Sequence, residues 1–592
     1  MAQAPRPQST NSTDLALCAV AACVGLAGVF WLGGAASAGL SGHPVPHASP
    51  IVGLVAFAHP GDPSLAWHGP VGPVVLYWIV TTMIFSMVIA AAVGVWHLVS
   101  KDRRKKVDDP TNTAGLADRH HVKSAAGSAA LLARATTLRP SLIGPVPTDI
   151  GYSLGTSRGV ECWSSIEDSM VLLGPPRSGK GYNIVIPMLL DAPGAVITTA
   201  TRSDNLSATM TARAARGPVG VFDPQGMAAG VPSALRWSPV RGCQRPQTAM
   251  IRANALCADA GAGTDAGSFW KQQTITAVRC LLHAAALDNR PPADLYRWSL
   301  SAAAAKDAVD ILVHSPQAAP AWDKALDAVV SADQRQRDSV WAMVANAFAA
   351  LADPQVLDAV SPTAAEQFDP ADFLRRHGTL YLLGTASGAS ATAGLVAALV
   401  EDVVEVARRL AAGSPGARLD PPLGLILDEA ANYPLPSLGA LMSEGGGTGI
   451  TTLAVLQSLA QARDRWGREQ AQGIWDSAIV KIVLGGGSNA DDLADIARLV
   501  GERTEREYSE TNQAGGGRSV SASNRERSIL DPSAIRSITP GHGLLLLRSA
   551  RPIMLTLRPW TARGDALQIE LDRAVVEDAI RSTAAQNWSS GA

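Results

Sequence analysis

The sequence predicts an α/β protein: a mostly parallel sheet with helices on both faces, interrupted by an inserted all-helical subdomain and preceded by two transmembrane helices. Three observations predict it. From Glu161 onward, short apolar runs alternate with helical stretches, the pattern of βα units sharing one sheet. One such run, Met170–Leu173, enters the glycine-rich turn Gly174–Gly181, and another, Leu423–Leu427, ends at Asp428-Glu429. Two long apolar runs stand in front of all of these.

A chain of 592 residues exceeds what one core usually supports, so two or three domains are expected. The formal net charge of -2 carries no global signature of a nucleic-acid binder, although a ring or channel can concentrate positive charge on one lining. The six cysteines contain no CxxC pair. A zinc site or disulfide framework is therefore not expected, and most of these side chains read as small buried hydrophobes.

Residues 1–100 read as a membrane anchor. Leu15–Leu32 is uncharged and extends through Ala38, long enough to cross about 30 Å of hydrocarbon as a helix. Ala35–Ala38 is similar to a signal-peptide cleavage site, but no strong basic segment precedes the run. The second run, Val71–Val99, is followed at once by a cluster that includes Lys101, Arg103, Arg104, Lys105 and Lys106. By the positive-inside rule that cluster places its exit in the cytoplasm. The nearly uncharged Ser41–Gly69 then forms an outside hairpin, and the bulk of the chain lies cytoplasmic at the cell membrane.

Residues 101–150 read as a polar connector with a helix near Ala125–Thr136. The sheet is expected in two parts, 151–245 and 370–565. Its strands are Met170–Leu173, Ala195–Thr199, Val219–Phe222, Thr379–Leu383, Leu423–Leu427, Thr451–Leu456 and Ile479–Leu484. Gly543–Leu547 and Ile553–Leu557 read as a terminal hairpin at the sheet edge. Between the parts, residues 246–369 show Ala-rich helical patterns and little strand character, a stretch too long for a loop. Glu502–Asn524, charged and then Gly/Ser-rich, reads as a mobile loop. Residues 566–592 read as a helix with a polar tail.

Gly174, Pro175, Pro176, Arg177, Ser178, Gly179, Lys180, Gly181 and Tyr182 form the expected phosphate site. Glycines let successive backbone N–H groups face one anion, and the following helix directs its positive end there. Lys180 is the point charge for the β- and γ-oxygens of ATP. A Ser or Thr usually follows the lysine to ligate Mg²⁺, but this chain has Gly181, so water or another side chain must complete that shell. Asp428 is expected to hold the Mg²⁺, and Glu429 to orient or deprotonate the attacking water. Gln457, ending the next strand, reads as a sensor of the γ-phosphate or the water.

With these residues laid out, the chain resembles the TraG/TraD family, the membrane-anchored coupling proteins of type IV secretion and bacterial conjugation. The resemblance runs from the apolar N-terminal runs to about Trp560. Gly174–Leu190 is similar to the family's phosphate loop, Lys-Gly ending included. Arg236–Pro239 resembles the Trp-Asn-Pro motif ahead of its all-helical domain, with Ser238 in place of Asn. Asp428–Gln457 is similar to its second nucleotide motif and sensor strand. Where the family often has Asp-Pro-Lys-Gly-Glu, this chain has Thr199–Asp204, with Arg202 as the nearest cation.

The resemblance implies a RecA-like P-loop ATPase core, assembly as a homo-hexamer, and an arginine supplied across the subunit boundary. Arg498, Arg503, Arg506 and Arg527 are candidates for that arginine. It implies as partners a relaxase with single-stranded DNA, protein substrates, and the proteins of a type IV secretion channel at the lipid bilayer. Two other readings compete. A double-stranded DNA translocase of the segregation type usually has four membrane segments and a C-terminal winged helix, which are not recognisable here. A non-hydrolysing docking scaffold fits poorly with intact Lys180, Asp428 and Glu429.

Overall fold

The computed structural model describes residues 12–590 apart from 46, 50–54, 57, 68, 108–109, 233, 259–264, 385–388 and 513–517. The chain divides into two compact units, Met1–Asp109 and Pro110–Ala592.

The first unit is built on the helices Ser12–Leu40 and Val74–Val107. Both contain segments long and apolar enough to cross a membrane, Cys23–Leu40 and Val74–Val95. The helices pack through small residues: a Cβ at Gly33 would run into the Thr81 side chain, so glycine there permits the close approach. Ser37 Oγ donates to Val71 O at 2.7 Å and Trp31 Nε1 to Ala48 O at 2.8 Å, tying the connection to the first helix. The second helix continues through the basic cluster to Val107, beyond the boundary expected at residue 100. Lys and Arg are good helix formers, and nothing there breaks the helix.

The second unit is organised on one 11-stranded sheet of order β2-β1-β13-β12-β9-β3-β8-β7-β4-β6-β5. Its strands are β1 (Gly151–Ser157), β2 (Val160–Ser165), β3 (Met170–Leu173), β4 (Val196–Ala200), β5 (Val219–Phe222) and β6 (Thr379–Leu383). They continue with β7 (Leu423–Leu427), β8 (Ile450–Leu456), β9 (Val480–Leu484), β12 (His542–Leu547) and β13 (Ile553–Thr556). The run from β9 to β5 is parallel, and β12, β13, β1 and β2 add antiparallel strands on the β9 side.

The apolar strands read as continuous runs because both faces are covered. Val171 and Leu173 sit in one core, while the alternate residues Met170 and Leu172 sit in another, as a period of two requires. The first core is shared with the helices between β5 and β6, among them Pro246–Leu256, Asp265–Leu287 and Gln334–Ala347. The elements named between these strands are all helical, and their buried residues are continuous with the sheet's core. Four of the cysteines, Cys162, Cys243, Cys257 and Cys280, are buried and free, and burial pushes the Cys243 thiol up to about 11.

Three expectations need correction. The β12–β13 pair is not a sheet edge, because β1 pairs with β13 and β2 closes that side. The β1–β2 hairpin lies partly before Glu161, in a stretch whose polar and glycine content hid its strand character. Glu502–Asn524 is not a loop: β10 (Glu502–Asn512) and β11 (Arg518–Ser528) form a separate antiparallel ribbon in unbroken register from Glu502↔Ser528 to Asn512↔Arg518. Its alternating charges satisfy a two-stranded ribbon that needs little core. Gly515–Gly517 lie outside the described residues. In the connector, the helix expected near Ala125–Thr136 is broken into the short helices Arg119–Ala126, Ser128–Leu132 and Ala135–Leu138.

The Trp-Ser-Pro segment is anchored by a buried cluster. Asp402 Oδ2 accepts from Trp237 Nε1 at 2.9 Å, and Asp402 Oδ1 pairs with Arg252 Nη2 at 3.0 Å. The Arg252 guanidinium lies 4.7 Å from the Trp237 ring centroid, and Arg241 Nη1 reaches Asp402 Oδ2 at 3.1 Å. Asp402 lies on the helix after β6 and Arg252 on the first helix after the segment, so one carboxylate joins three parts of the fold.

Candidate nucleotide site

β3, β8, β7 and β4 lie side by side and parallel, so their carboxyl ends open on one edge, where ligands of open α/β sheets bind. Each contributes residues there. The turn after β3 is tied to β8 by Gly174 N–H donating to Leu456 O at 3.0 Å. Gly179 takes φ +84°, a conformation glycine adopts without strain, and its carbonyl accepts from Asn183 Nδ2 at 3.0 Å. Lys180 has helical φ/ψ and begins a helix that winds as a π-turn over Gly181–Val185 and as an α-helix over Ile186–Asp191. Pro187 contributes no N–H to that helix, and the change of winding occurs beside it.

Lys180 Nζ donates to Gly174 O at 3.1 Å. Burial holds its ammonium below the ordinary lysine pKa, against the attraction of Asp428 and Glu429. Burial likewise pushes the Asp428 carboxyl up, with Lys180 opposing and Glu429 adding to the rise. The two shifts share one cause, the loss of water around opposite charges that only partly compensate each other.

Asp428 is fixed at both ends. Thr199 Oγ1 donates to its main-chain oxygen at 2.8 Å, and Asn205 Nδ2 donates to Oδ2 at 3.3 Å. Its Oδ1 is buried without a hydrogen-bond partner. Glu429 takes left-handed φ +51°, ψ +46°, uncommon for a residue with a side chain and typical of functional positions. Its carboxylate accepts from Thr201 Oγ1 at 2.7 Å, Asn432 Nδ2 at 2.9 Å and Gln457 Nε2 at 3.4 Å.

These groups line a cleft of about 260 Å³. Lys180, Gly181, Tyr182, Asp428 and Glu429 are on its wall. The other phosphate-loop residues form the turn behind it: Pro176 and Arg177 are exposed, and Ser178 Oγ is buried without a partner. Gln457 touches the site through Glu429. Arg498 pairs with Asp495, Arg503 donates to Ala114 O at 3.1 Å, Arg527 pairs with Glu505 at 3.3 Å, and Arg506 is on the ribbon. None of these four lines the cleft.

Several residues of the cleft wall were not among the expected site residues, including Thr201, Asn205, Trp560 and Arg573. Thr201 comes from the turn after β4 and Asn205 from the first turn of the helix Asp204–Ala214 that follows, and a polar cluster at a strand's carboxyl end was the available signal. Trp560 and Arg573 also line the cleft, and nothing local marked them. The Trp560 ring meets Tyr182 edge-on at 6.1 Å, and Arg573 Nε donates to Glu577 at 2.7 Å.

Residues 422–540 match the family described as the TraM recognition site of TraD and TraG. That segment contains β7, Asp428-Glu429, β8, Gln457, β9 and the ribbon. Among solved structures, the unbound monoclinic form of the bacterial conjugative coupling protein TrwBdeltaN70 is similar, with 17% identity and a TM-score of 0.52 over 69% of this chain and 88% of that one. The plasmid coupling protein TrwB in complex with the non-hydrolysable GTP analogue GDPNP matches at 17% identity and a TM-score of 0.51, over 69% of this chain and 89% of that one. TrwB in complex with ADP and Mg²⁺ matches at 18% identity and a TM-score of 0.50, over 70% of this chain and 92% of that one. No curated protein matches the chain.

Proposed function

We propose that this chain, which carries the TraD and TraG segment on the fold of a conjugative coupling protein, is a membrane-anchored ATPase that delivers relaxase-bound DNA or protein substrates to a type IV secretion channel. The observation that carries the reading is the convergence of Lys180, Asp428 and Glu429 at the carboxyl edge of the parallel strands. The donor set suits a nucleoside triphosphate with a divalent cation: a half-buried ammonium, a carboxylate oxygen without a partner, and a second carboxylate held by three donors. Among the described residues no group of three His, Cys, Asp or Glu gathers to hold a metal alone, so the nucleotide's own oxygens must share the cation.

Lys180 exchanges the Gly174 carbonyl for the β- and γ-phosphate oxygens. Asp428 would hold the Mg²⁺, which when bound would supply positive charge beside the phosphate oxygens. Glu429, fixed by Thr201, Asn432 and Gln457, orients the attacking water and accepts its proton. Gln457 reports on that carboxylate. The transition state gains much from an added cation, and we assign it to an arginine of a neighbouring copy in a ring of six. Residues 246–369 are the module that recognises cargo, with boundaries that let it vary without rebuilding the motor.

Membrane topology gives one test. A reporter fused near His59 is expected to read outside and one fused near His120 cytoplasmic; finding both on the same side would remove the two-span anchor. The ring is tested by turnover against protein concentration, with and without single- and double-stranded DNA, and with Glu429→Gln subunits mixed in. The expected result is turnover per subunit that rises with concentration and with DNA, and falls more steeply than the mutant fraction. Phosphate-led DNA contact makes the stimulation insensitive to sequence and steeply salt-dependent. Flat, DNA-indifferent turnover that falls only in proportion to the mutant fraction would favour an independent switch that docks protein substrates.

A further inference from the structure

Gly181 leaves the site without the hydroxyl that phosphate loops usually place beside the divalent cation, and the structure shows what stands opposite. A Cβ built at Gly181 meets Asn205 Oδ1 at 3.8 Å and nothing nearer. Asn205 is 3% exposed, stands on the first turn of the helix Asp204–Ala214, and lines the cleft with Gly181 and Asp428. Its Nδ2 donates to Asp428 Oδ2 at 3.3 Å. An amide offers donor and acceptor at once, so the group that steadies Asp428 also presents a neutral oxygen to the cleft.

We propose that Asn205 supplies, from the first turn of the helix after β4, the neutral side-chain oxygen of the nucleotide's divalent-cation site that residue 181 lacks. This rests on the nucleotide-hydrolysing reading and names a cation-binding residue within it. The competing hydroxyls are otherwise placed. Thr199 Oγ1 donates to the Asp428 main chain, and Thr201 Oγ1 donates to Glu429. Ser178 Oγ lacks a partner but does not line the cleft; it stands 2.7 Å from where a Cβ of Gly174 would be. Hard cations take amide as well as carboxylate oxygens, and the unpaired Asp428 Oδ1 gives the charged partner of the pair.

Thr201 holds the water-orienting carboxylate, and Asn205 serves the cation, so the segment after β4 is divided between the two acids of Asp428-Glu429.

The test uses the full chain in detergent. The affinity of a fluorescent ADP analogue is measured in Mg²⁺ and in EDTA, and Mn²⁺ binding to the ADP complex is followed by electron paramagnetic resonance. The wild type is expected to bind ADP more tightly in Mg²⁺. Asn205→Ala should reduce that enhancement and the Mn²⁺ affinity by about tenfold, within the range for groups that support a metal, and leave the EDTA value unchanged. Adding Gly181→Ser to Asn205→Ala should restore most of the loss, because the hydroxyl returns from the other side of the same gap. An unchanged enhancement in Asn205→Ala overturns the proposal, as does loss in Ser178→Ala without loss in Asn205→Ala. Should Asn205→Ala lose affinity in EDTA as well, Asn205→Asp decides: a retained or larger enhancement supports the proposal, and a lost one overturns it. A wild type that binds no nucleotide in either condition would sink the nucleotide-hydrolysing reading and this inference with it.

Discussion

Glu429→Gln is expected to slow nucleotide turnover by about 10²–10⁴-fold, the usual worth of a positioned general base, with nucleotide affinity nearly unchanged. The substitution is close to isosteric, and the site tolerates it locally. With the new amide nitrogen at the position of Oε1, Gln457 can turn its own amide to accept from it, while Thr201 and Asn432 continue to donate to the other oxygen. The left-handed backbone at Glu429 is then retained and only proton acceptance is lost. Lys180→Ala makes the contrast, because in the proposed function Lys180 would contact phosphate in ground and transition states alike. Its loss should weaken nucleotide binding by about 10–100-fold, the worth of a charge-assisted hydrogen bond of about 1.5–3 kcal/mol, and turnover should fall with it. Equilibrium binding and single-turnover hydrolysis, measured on both variants, separate the two effects. Hydrolysis by Glu429→Gln at the wild-type rate would remove Glu429 as the water-orienting group.

Asp402→Ala is expected to cost about 3–5 kcal/mol of stability, the penalty for leaving a buried charge without its partner. Arg252 is 1% exposed, so water cannot replace the carboxylate. Its remaining bonds, Nη1 to Pro239 O at 2.9 Å and Nη2 to Arg241 O at 3.5 Å, leave a full positive charge uncompensated. Trp237 Nε1 loses its acceptor in the same step. Thermal unfolding should show a drop in Tm of about 5 °C or more, and Asp402→Asn, which keeps an acceptor for Trp237, a smaller one. A Tm equal to wild type would mean the cluster does not hold the Trp-Ser-Pro segment to the helices around it. Arg252→Met with Asp402→Leu should recover much of the loss, since replacing both charges by apolar groups removes the desolvation cost as well.

The legible parts of this protein were those whose physics is local. The strands from Met170–Leu173 to Val480–Leu484 lie within a residue or two of their expected limits, because a strand buried on both faces must be apolar throughout. The glycine-rich turn was legible because the path around Gly179 needs positive φ, and Asp428-Glu429 because a strand end presents both carboxylates at once. Between β5 and β6 the helices Pro246–Leu256, Asp265–Leu287, Pro292–Ser299, Trp322–Val330 and Gln334–Ala347 were legible from their periodicity, whereas Lys306–His314, Pro354–Ala359 and Pro370–Arg375 were not. The β10–β11 ribbon was misread because its register, rather than an apolar face, holds it together, and register is a relation between strands. The β12–β13 pair was placed at the edge for the same reason: the strands that continue the sheet beyond it come from the other end of the unit.

By itself, then, the sequence determined the α/β class, the two apolar helices and the pair of motifs around Lys180 and Asp428, all properties of short windows with strong backbone or burial requirements. Tertiary structure alone decided that β3 lies between β8 and β9, and that Thr201 clasps Glu429. It also decided that Asn205 faces the gap at Gly181, that Asp402 gathers Trp237, Arg241 and Arg252, and that Trp560 and Arg573 reach the cleft. Each of those depends on residues tens to hundreds of positions apart being brought within a few ångströms, and no local pattern encodes that distance.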